Sequence, residues 1–449
     1  MMTKNHKDLT QGSVAGHLLS LSGPMFLGLF AIFFFGVTDA YFLGKLGSDA
    51  LAAMGFVIPV MAVFMSLSRG MSEGAISLVS RKLGALDMED AKIITTSILV
   101  LSFLIVLLFV LLGVFLDEFI LTFLGANGVI HTYANEYLTV WFAGMVFLVI
   151  PMVGNGFIRA AGDTRWPAML MVFSAIANII LDPIFIFGWG WIPAFGVKGA
   201  AIASILARSF TLFAALYLVQ YRYQMVSFSG WSWPKVVKIW RDFIGVSIPA
   251  GLNFMIIPMT IAMITRLMAQ FTSNHVAGFG LAHQIETLSL LVFYAVAVGM
   301  SSFVGQNFGA KQWSRLKSAF SVVTKVNLIC SVVLVVFFFY FATPIARLFQ
   351  TQDTIVHIAS SYLLVVSVSF GFEGIYLFCV NSLNVTGHAL WATFLVFFRM
   401  LLLYMPIAYY LAPKIGPSAV FYAAILSNVL SGIVGRLLLN HKIIKPNYR

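Results

Sequence analysis

After Lys92 the chain reads IITTSILVLSFLIVLLFVLLGVFL (93–116), an unbroken apolar run with no charge before Asp117. A helix of about 20 such residues spans the roughly 30 Å hydrocarbon core of a bilayer. Runs of this kind recur at approximately 18–43, 50–79, 92–116, 134–158, 167–188, 197–221, 243–271, 276–304, 318–342, 357–383, 389–412 and 417–439, divided by short polar or Gly/Pro-containing breaks. Of the 449 residues 60% are hydrophobic and 10% charged, against about 25% charged in soluble domains, which excludes a soluble globule. No stretch alternates in polarity as a strand does, so the spans are helices. The lead-in MMTKNHKDLTQGS is polar and runs straight into a full-length span, so it reads as retained and not as a signal peptide.

The formal charge of +11 raises the question of nucleic acid, but the basic residues sort by membrane side. With the N-terminus inside, Lys4, Lys7, Arg81, Arg159, Arg222, Lys445, Arg449 and ten others fall there, against Lys45, Lys198, Arg347 and Lys414 outside. That asymmetry predicts a multi-pass protein of a bacterial-type cytoplasmic membrane with both termini cytoplasmic, a lipid bilayer for a partner and no nucleic acid. Cys330 and Cys379 lie in apolar runs and belong to no metal-binding spacing.

Sliding the chain on itself by 225 residues aligns Pro24 with Pro249, Gly74 with Gly299, Gly84-Ala85 with Gly309-Ala310, Tyr137-Leu138 with Tyr362-Leu363, Gly162 with Gly387, and Trp166 with Trp391. Prolines and glycines are costly inside spans, so their coincidence in one register marks a duplication. Six helices per half is an even number, so both halves enter the membrane in the same sense. The expected fold is an all-α membrane protein of twelve transmembrane helices in two six-helix bundles related by a pseudo-twofold axis along the membrane normal. The lobes are expected at 1–222 and 243–449, joined by a cytoplasmic connector at 223–242 that carries Trp231, Trp233 and Pro234. Parallel repeats of this kind are a transporter architecture, with access alternating as one half moves against the other.

Charge inside a span calls for an explanation, since a central Asp costs about 2.5–3.5 kcal/mol on insertion scales. Glu73 follows Arg69 by one turn and is expected to pair with it. Asp39 has no opposite charge within helical reach before Lys45, so it needs a partner on another helix, or a proton. Asn178 and Asp182 share a helix face at i, i+4, and Pro183 frees the carbonyl of Ile179. Together they offer hard oxygen ligands to a proton-linked or sodium-linked switch. The counterparts of Asp39 and Asp182 in the second half are Ile264 and Ile407, so coupling chemistry is expected in the first half. His283 with Glu286, and Glu373 with Arg399, form a candidate second polar cluster.

The segments TDAYFLGKLGSDALAA, SLVSRKLGALD, FIRAAGDTRWPAM and NIILDPIFIFG followed by GVKGAAIAS, in that order, resemble the multidrug and toxic compound extrusion (MATE) family over essentially the whole chain. An acid at Asp39, with none on the seventh helix around Phe254, resembles the DinF-like branch. The resemblance implies that Asp39 and Asp182 titrate or bind a cation, with Asn178, Tyr137 and Ser204 completing the network and Na⁺, where used, held by Asp39, Asn178 and Asp182. It further implies that Pro24 bends the first helix when Asp39 is protonated, and that Asn155 lines the substrate cavity.

The reading is thus an antiporter without enzymatic activity and without a cofactor beyond H⁺ or Na⁺. It would export cationic or amphipathic drugs and toxic compounds by alternating access, as a monomer. The alternative is a flippase for a lipid-linked or lipid-like substrate, against which Arg208, Arg266 and Arg399 stand scattered and not clustered.

Overall fold

The structure is a computed structural model that describes residues 6–444; Lys4, Lys445 and Arg449, assigned above to the cytoplasmic side, lie outside the described residues. The described residues form twelve long helices. In chain order these are α1 (Val14–Lys45), α2 (Ser48–Gly84), α3 (Met88–Phe123), α4 (Gly128–Ala143 and Met145–Ala160), α5 (Arg165–Phe187) and α6 (Gly196–Tyr217). The second half supplies α7 (Trp233–Ala269), α8 (Ser273–Gly309), α9 (Trp313–Phe349), α10 (Asp353–Val366 and Phe370–Val385), α11 (Ala389–Ile415, with a π turn at Phe398–Tyr404) and α12 (Ala419–Leu439). By length and apolarity alone the described residues offer 10 or 11 spans, because Ala389–Ile444 runs on for 56 residues with only short breaks. That is well over twice what one crossing needs. Gly416, at φ +70°, turns the chain between α11 and α12.

The helices overrun the apolar windows at both ends. The segment expected to be connector at 223–242 is helical from Trp233, because the bilayer ends where polar residues begin but nothing in them stops a helix. Lys235 pairs with Asp90 at 2.6 Å and Trp240 Nε1 donates to the Ser97 carbonyl at 2.9 Å, so this segment is fastened to α3.

The duplication governs the backbone in detail. α2 and α8 have the same length of 37 residues and start at Ser48 and Ser273, 225 apart. The turns that follow pass through Leu86 at φ +60° and Lys311 at φ +57°, a left-handed conformation that side chains seldom adopt. Gly162 and Gly387 both stand at φ +85°. The fourth helix of each half breaks at the same place. α4 bends by 50° around Gly144, and α10 passes through a short 3₁₀ turn at Ser367–Ser369.

Two compact units result, one of residues 6–8 and 27–251, the other of 9–26 and 252–444. Within the first, α2 packs on α4, α4 on α6, and α5 on α6; within the second, α8 packs on α10 and α10 on α12. Two of the boundaries fall inside helices, α1 at 26/27 and α7 at 251/252, again 225 apart. Close approach of small residues holds these arms. A Cβ on Gly74 would lie 2.2 Å from the Ser247 hydroxyl, and one on Gly299 3.0 Å from the backbone of Leu21 and Ser22, residues in the same 225-residue register.

Polarity is inside-out relative to a soluble protein. Leu104, Leu107, Leu108, Leu111 and Phe115 of α3 face away from the protein, whereas Asn178, Asp182, Glu73, Glu373 and Arg399 are buried within it.

Candidate functional site

In the first unit the polar centre is assembled from four helices. α5 places Asn178 and Asp182 one turn apart with the amide donating to Asp182 Oδ1 at 2.8 Å, and both are fully buried. α1 brings Asp39 to them, so that its carboxyl faces the Asp182 carboxyl and the Asn178 amide. α4 supplies Tyr137 and α6 supplies Ser204, which are hydrogen-bonded to each other and buried beside the acids. One turn beyond Ser204 is Arg208, whose guanidinium lies within electrostatic reach of Asp39 and 4.9 Å over the ring of Phe35, one turn before Asp39.

The arrangement leaves acceptors over. Asp39 Oδ1, Asn178 Oδ1 and Asp182 Oδ2 are buried without a hydrogen-bond partner. An unsatisfied buried oxygen costs about 1–3 kcal/mol, more when charged, and three of them converge here. Two facing carboxylates in an apolar bundle cannot both hold an uncompensated charge, so a proton or a hard monovalent cation satisfies the donor set. These residues are therefore fit to hold H⁺ or Na⁺. Among the described residues no group of three or more His, Cys, Asp or Glu is arranged for a transition metal.

Not every expected residue joins this cluster. Pro24 lies fifteen residues before Asp39, about 22 Å along the helix axis at about 1.5 Å per residue, in the arm of α1 that belongs to the other unit. The helix runs through it unbroken. Asn155 is buried with Oδ1 unpartnered, one turn before Arg159 on α4. The pairing expected between Glu73 and Arg69 is corrected: Glu73 faces Arg159 at 3.8 Å, and Arg159 also donates to Ser72 Oγ at 3.0 Å. Helix spacing nominated Arg69, but Gly156 lets α4 approach the backbone of Ser72 and delivers a cation from another helix. Arg69 instead lies within electrostatic reach of Arg208.

The second unit holds its own polar centre. On α8, His283 Nδ1 stands 3.1 Å from Glu286 Oε2, and the same oxygen accepts from the Tyr362 hydroxyl at 3.1 Å. On α10, Glu373 Oε1 accepts from Arg399 at 2.6 Å. Arg399 also donates twice to Asn428 Oδ1, at 3.0 and 2.7 Å, and lies 4.5 Å over the Tyr376 ring. The π turn of α11 carries both Arg399 and Tyr404; such widened turns are uncommon and recur at functional sites. A cavity of about 210 Å³ opens between these groups.

Sequence reasoning passed over Arg208, Tyr362, Tyr404 and Asn428 as site residues. Two of them had a signal. Arg208 shares a helix face with Ser204 at i, i+4, and Tyr362 is the repeat counterpart of Tyr137.

A duplicated bundle of spanning helices that buries ionisable groups in its interior and exposes apolar side chains to lipid defines the class of polytopic membrane transporters. The MatE family model matches residues 24–184 and 249–410, two segments that begin 225 residues apart, and the chain belongs to this family of transporters, which are not enzymes. It is 31% identical to an FAD transporter of Shewanella oneidensis over 96% of this chain and 95% of that one. It is 24% identical to the multidrug export protein MepA of Staphylococcus aureus over 94% and 92% respectively. The crystal structure of the Vibrio cholerae MATE transporter VcmN in its bent form superposes with a TM-score of 0.91 at 26% identity, covering 98% of this chain and 99% of that one.

Proposed function

We propose that this chain is an ion-driven antiporter, of the DinF-like branch, that exports cationic or amphipathic small molecules from a bacterial-type cell. The observation that carries the reading is the facing pair Asp39 and Asp182 with Asn178, three of whose oxygens are buried and unpartnered. Uptake of H⁺ or Na⁺ there removes the charge that holds a cationic substrate in the first unit, and ion release restores it. Access alternates as the lobes 1–222 and 243–449 move, with Pro24 weakening α1 where it loses an amide donor. Both termini lie on the cytoplasmic side, and a monomer suffices, since each unit has its own polar centre.

A second reading is export of a flavin dinucleotide. It is favoured by the 31% identity to an FAD transporter and by Arg208, a half-buried residue whose buried Nε is unpartnered and whose guanidinium lies over the Phe35 ring. The flippase reading ranks below both, because Arg399, one of its few buried arginines, is engaged by Glu373.

The test is export from proteoliposomes under an imposed pH or sodium gradient, with ethidium and FAD as competing cargoes. Gradient-driven movement of ethidium that FAD does not inhibit supports the first reading, and the effective gradient names the ion. Movement of FAD alone overturns it in favour of the second, and movement of neither overturns both.

A further inference from the structure

The duplicated halves part company in charge at one end. In the first unit the turn RKLGALDMEDAK (81–92) answers its own bases: Lys82 pairs with Asp87 and Asp90, Lys92 with Glu89, and Asp90 also with Lys235. The equivalent turn of the second unit, 225 residues on, reads QNFGAKQWSRLK (306–317). Gln312, Ser314 and Arg315 stand in place of the acids Asp87, Glu89 and Asp90, and Lys311 in place of Leu86. Toward the same end, Lys325, Arg436 and Lys442 take the positions of Val100, Thr211 and Tyr217, and His388 that of Asp163. The acids of the second unit among the described residues are Glu286 and Glu373, in its polar centre, and Asp353, which pairs with Arg347 at the opposite end. The end at the α8–α9 turn thus carries Lys311, Arg315, Lys317, Lys325, Arg436 and Lys442, and among the described residues of this unit no Asp or Glu. Asp8, which precedes Leu9 in the chain, belongs to the other unit.

Where these bases stand says what answers them. Arg315 is spent within the protein, on the Asn307 side chain and the carbonyls of Leu9, Gln11 and Gly12. Lys325 is exposed on α9 at the head of a stripe of exposed apolar residues, Ile329, Val332, Val333 and Val336, whose helical spacing turns one face of the helix to lipid. On the π turn that follows α12 (Asn440–Ile444), Lys442 Nζ lies 4.2 Å over the ring of Trp391, next to the exposed Leu390 at the start of α11. Arg436 of α12 lies 5.7 Å over the Phe320 ring of α9, so the ends of these two helices meet. Ammonium groups at the rim of a lipid-facing stripe, beside a half-exposed tryptophan, belong at the headgroup level of a bilayer. A phosphate that carries acyl chains answers both features, its charge meeting the lysines and its chains lying along the stripe. A free phosphate meets only the first.

We propose that this end of the second unit, formed by α9, α11 and α12, binds anionic glycerophospholipid in preference to zwitterionic lipid, and that Lys325 and Lys442 hold the headgroup phosphates. The first unit has no such surface, because its acids already neutralise the equivalent turn. The surface is separate from both polar centres and stands whichever ion or cargo the chain carries.

The experiment uses the full chain purified in dodecyl maltoside and titrated with phosphatidylglycerol or phosphatidylcholine bearing a fluorescent acyl chain, with binding read by anisotropy. A basic residue beside an anionic headgroup is worth about fivefold in affinity, so the two lysines together should favour phosphatidylglycerol by about 25-fold. Lys325→Gln and Lys442→Gln should each weaken its binding about fivefold, and the double variant should bind both lipids alike. Added salt should shrink the wild-type preference. The pair Lys325→Arg/Lys442→Arg should keep it, as should Lys414→Gln, which removes the same charge from the opposite end of the unit. Should the double glutamine variant not fold, the two single variants read the same loss. A wild type without preference overturns the proposal, as does a preference that survives both glutamine substitutions or falls equally in Lys414→Gln. Displacement of phosphatidylglycerol by glycerol 3-phosphate at the same concentration would assign the surface to free phosphate and overturn the lipid.

Discussion

Replacing Arg399 by methionine strands Glu373. The carboxylate is buried, and without the guanidinium its remaining donor is the Asn428 amide at 3.3 Å. Breaking a buried pair by removing one partner costs about 3–5 kcal/mol, whereas replacing both partners by apolar residues of similar volume is often neutral. With about 2–4 °C of melting temperature per kcal/mol for a unit of this size, Arg399→Met should melt roughly 6–20 °C below the wild type. The double variant Arg399→Met/Glu373→Met should recover most of that loss. Thermal aggregation of the detergent-purified proteins, followed by size-exclusion chromatography after heating, reads both. The deficit of the single variant should also narrow at acidic pH, where the stranded carboxylate is neutralised. Single and double variants that melt together would refute the reasoning, because the penalty would then come from lost volume and not from an uncompensated charge.

Gly299→Val should destabilise more than Gly74→Val, although both are repeat-equivalent. At Gly299 the new side chain meets the immovable backbone of Leu21 and Ser22, and at Gly74 chiefly the Ser247 hydroxyl and the Phe243 ring, which can rotate; the recovery of monodisperse protein after heating ranks them. Leu86→Gly and Lys311→Gly should each raise thermal stability slightly, by about 0.5–1 kcal/mol net of glycine's added chain entropy, because both residues sit at positive φ; an unchanged or lower melting point counts against that strain. Burial, helped by the charge of Lys92, holds His6 below the ordinary histidine value of 6.5 against the opposing pull of its bond to the Tyr223 carbonyl. A base depressed in the fold contributes fully above the unfolded value and loses that contribution as pH falls through the folded one. Protection of the neighbouring Lys7 amide, bonded to the Ala161 carbonyl at 3.1 Å, should therefore fall on acidification; a flat hydrogen-exchange profile from neutral to acidic pH speaks against it.

The fold was legible because membrane helices declare themselves by length and apolarity, and because the 225-residue register aligns turns that the backbone indeed repeats, down to the left-handed residues Leu86 and Lys311. What escaped was tertiary. The pairing of Glu73 with Arg159 depends on a glycine on α4 that lets two helices close, and i, i+4 spacing carries no trace of it. Helix ends were misplaced wherever a helix continues past the hydrocarbon edge, as at Trp233. Asn178 and Asp182 were readable from one helix face, but that Asp39 meets them depends on how α1 packs against α5. The π turn at Phe398–Tyr404, which carries Arg399 and Tyr404 in the second polar centre, has no sequence signature, since the residues that form it are ordinary helix formers.

On the proposed function, Asp39 couples an ion gradient to export. The direct measurement compares wild type and Asp39→Asn in proteoliposomes, once with an imposed ion gradient and once in counterflow, where substrate exchanges for substrate and no gradient acts. The variant is expected to lose gradient-driven accumulation and keep counterflow. Gradient-driven accumulation at the wild-type rate in Asp39→Asn would contradict it.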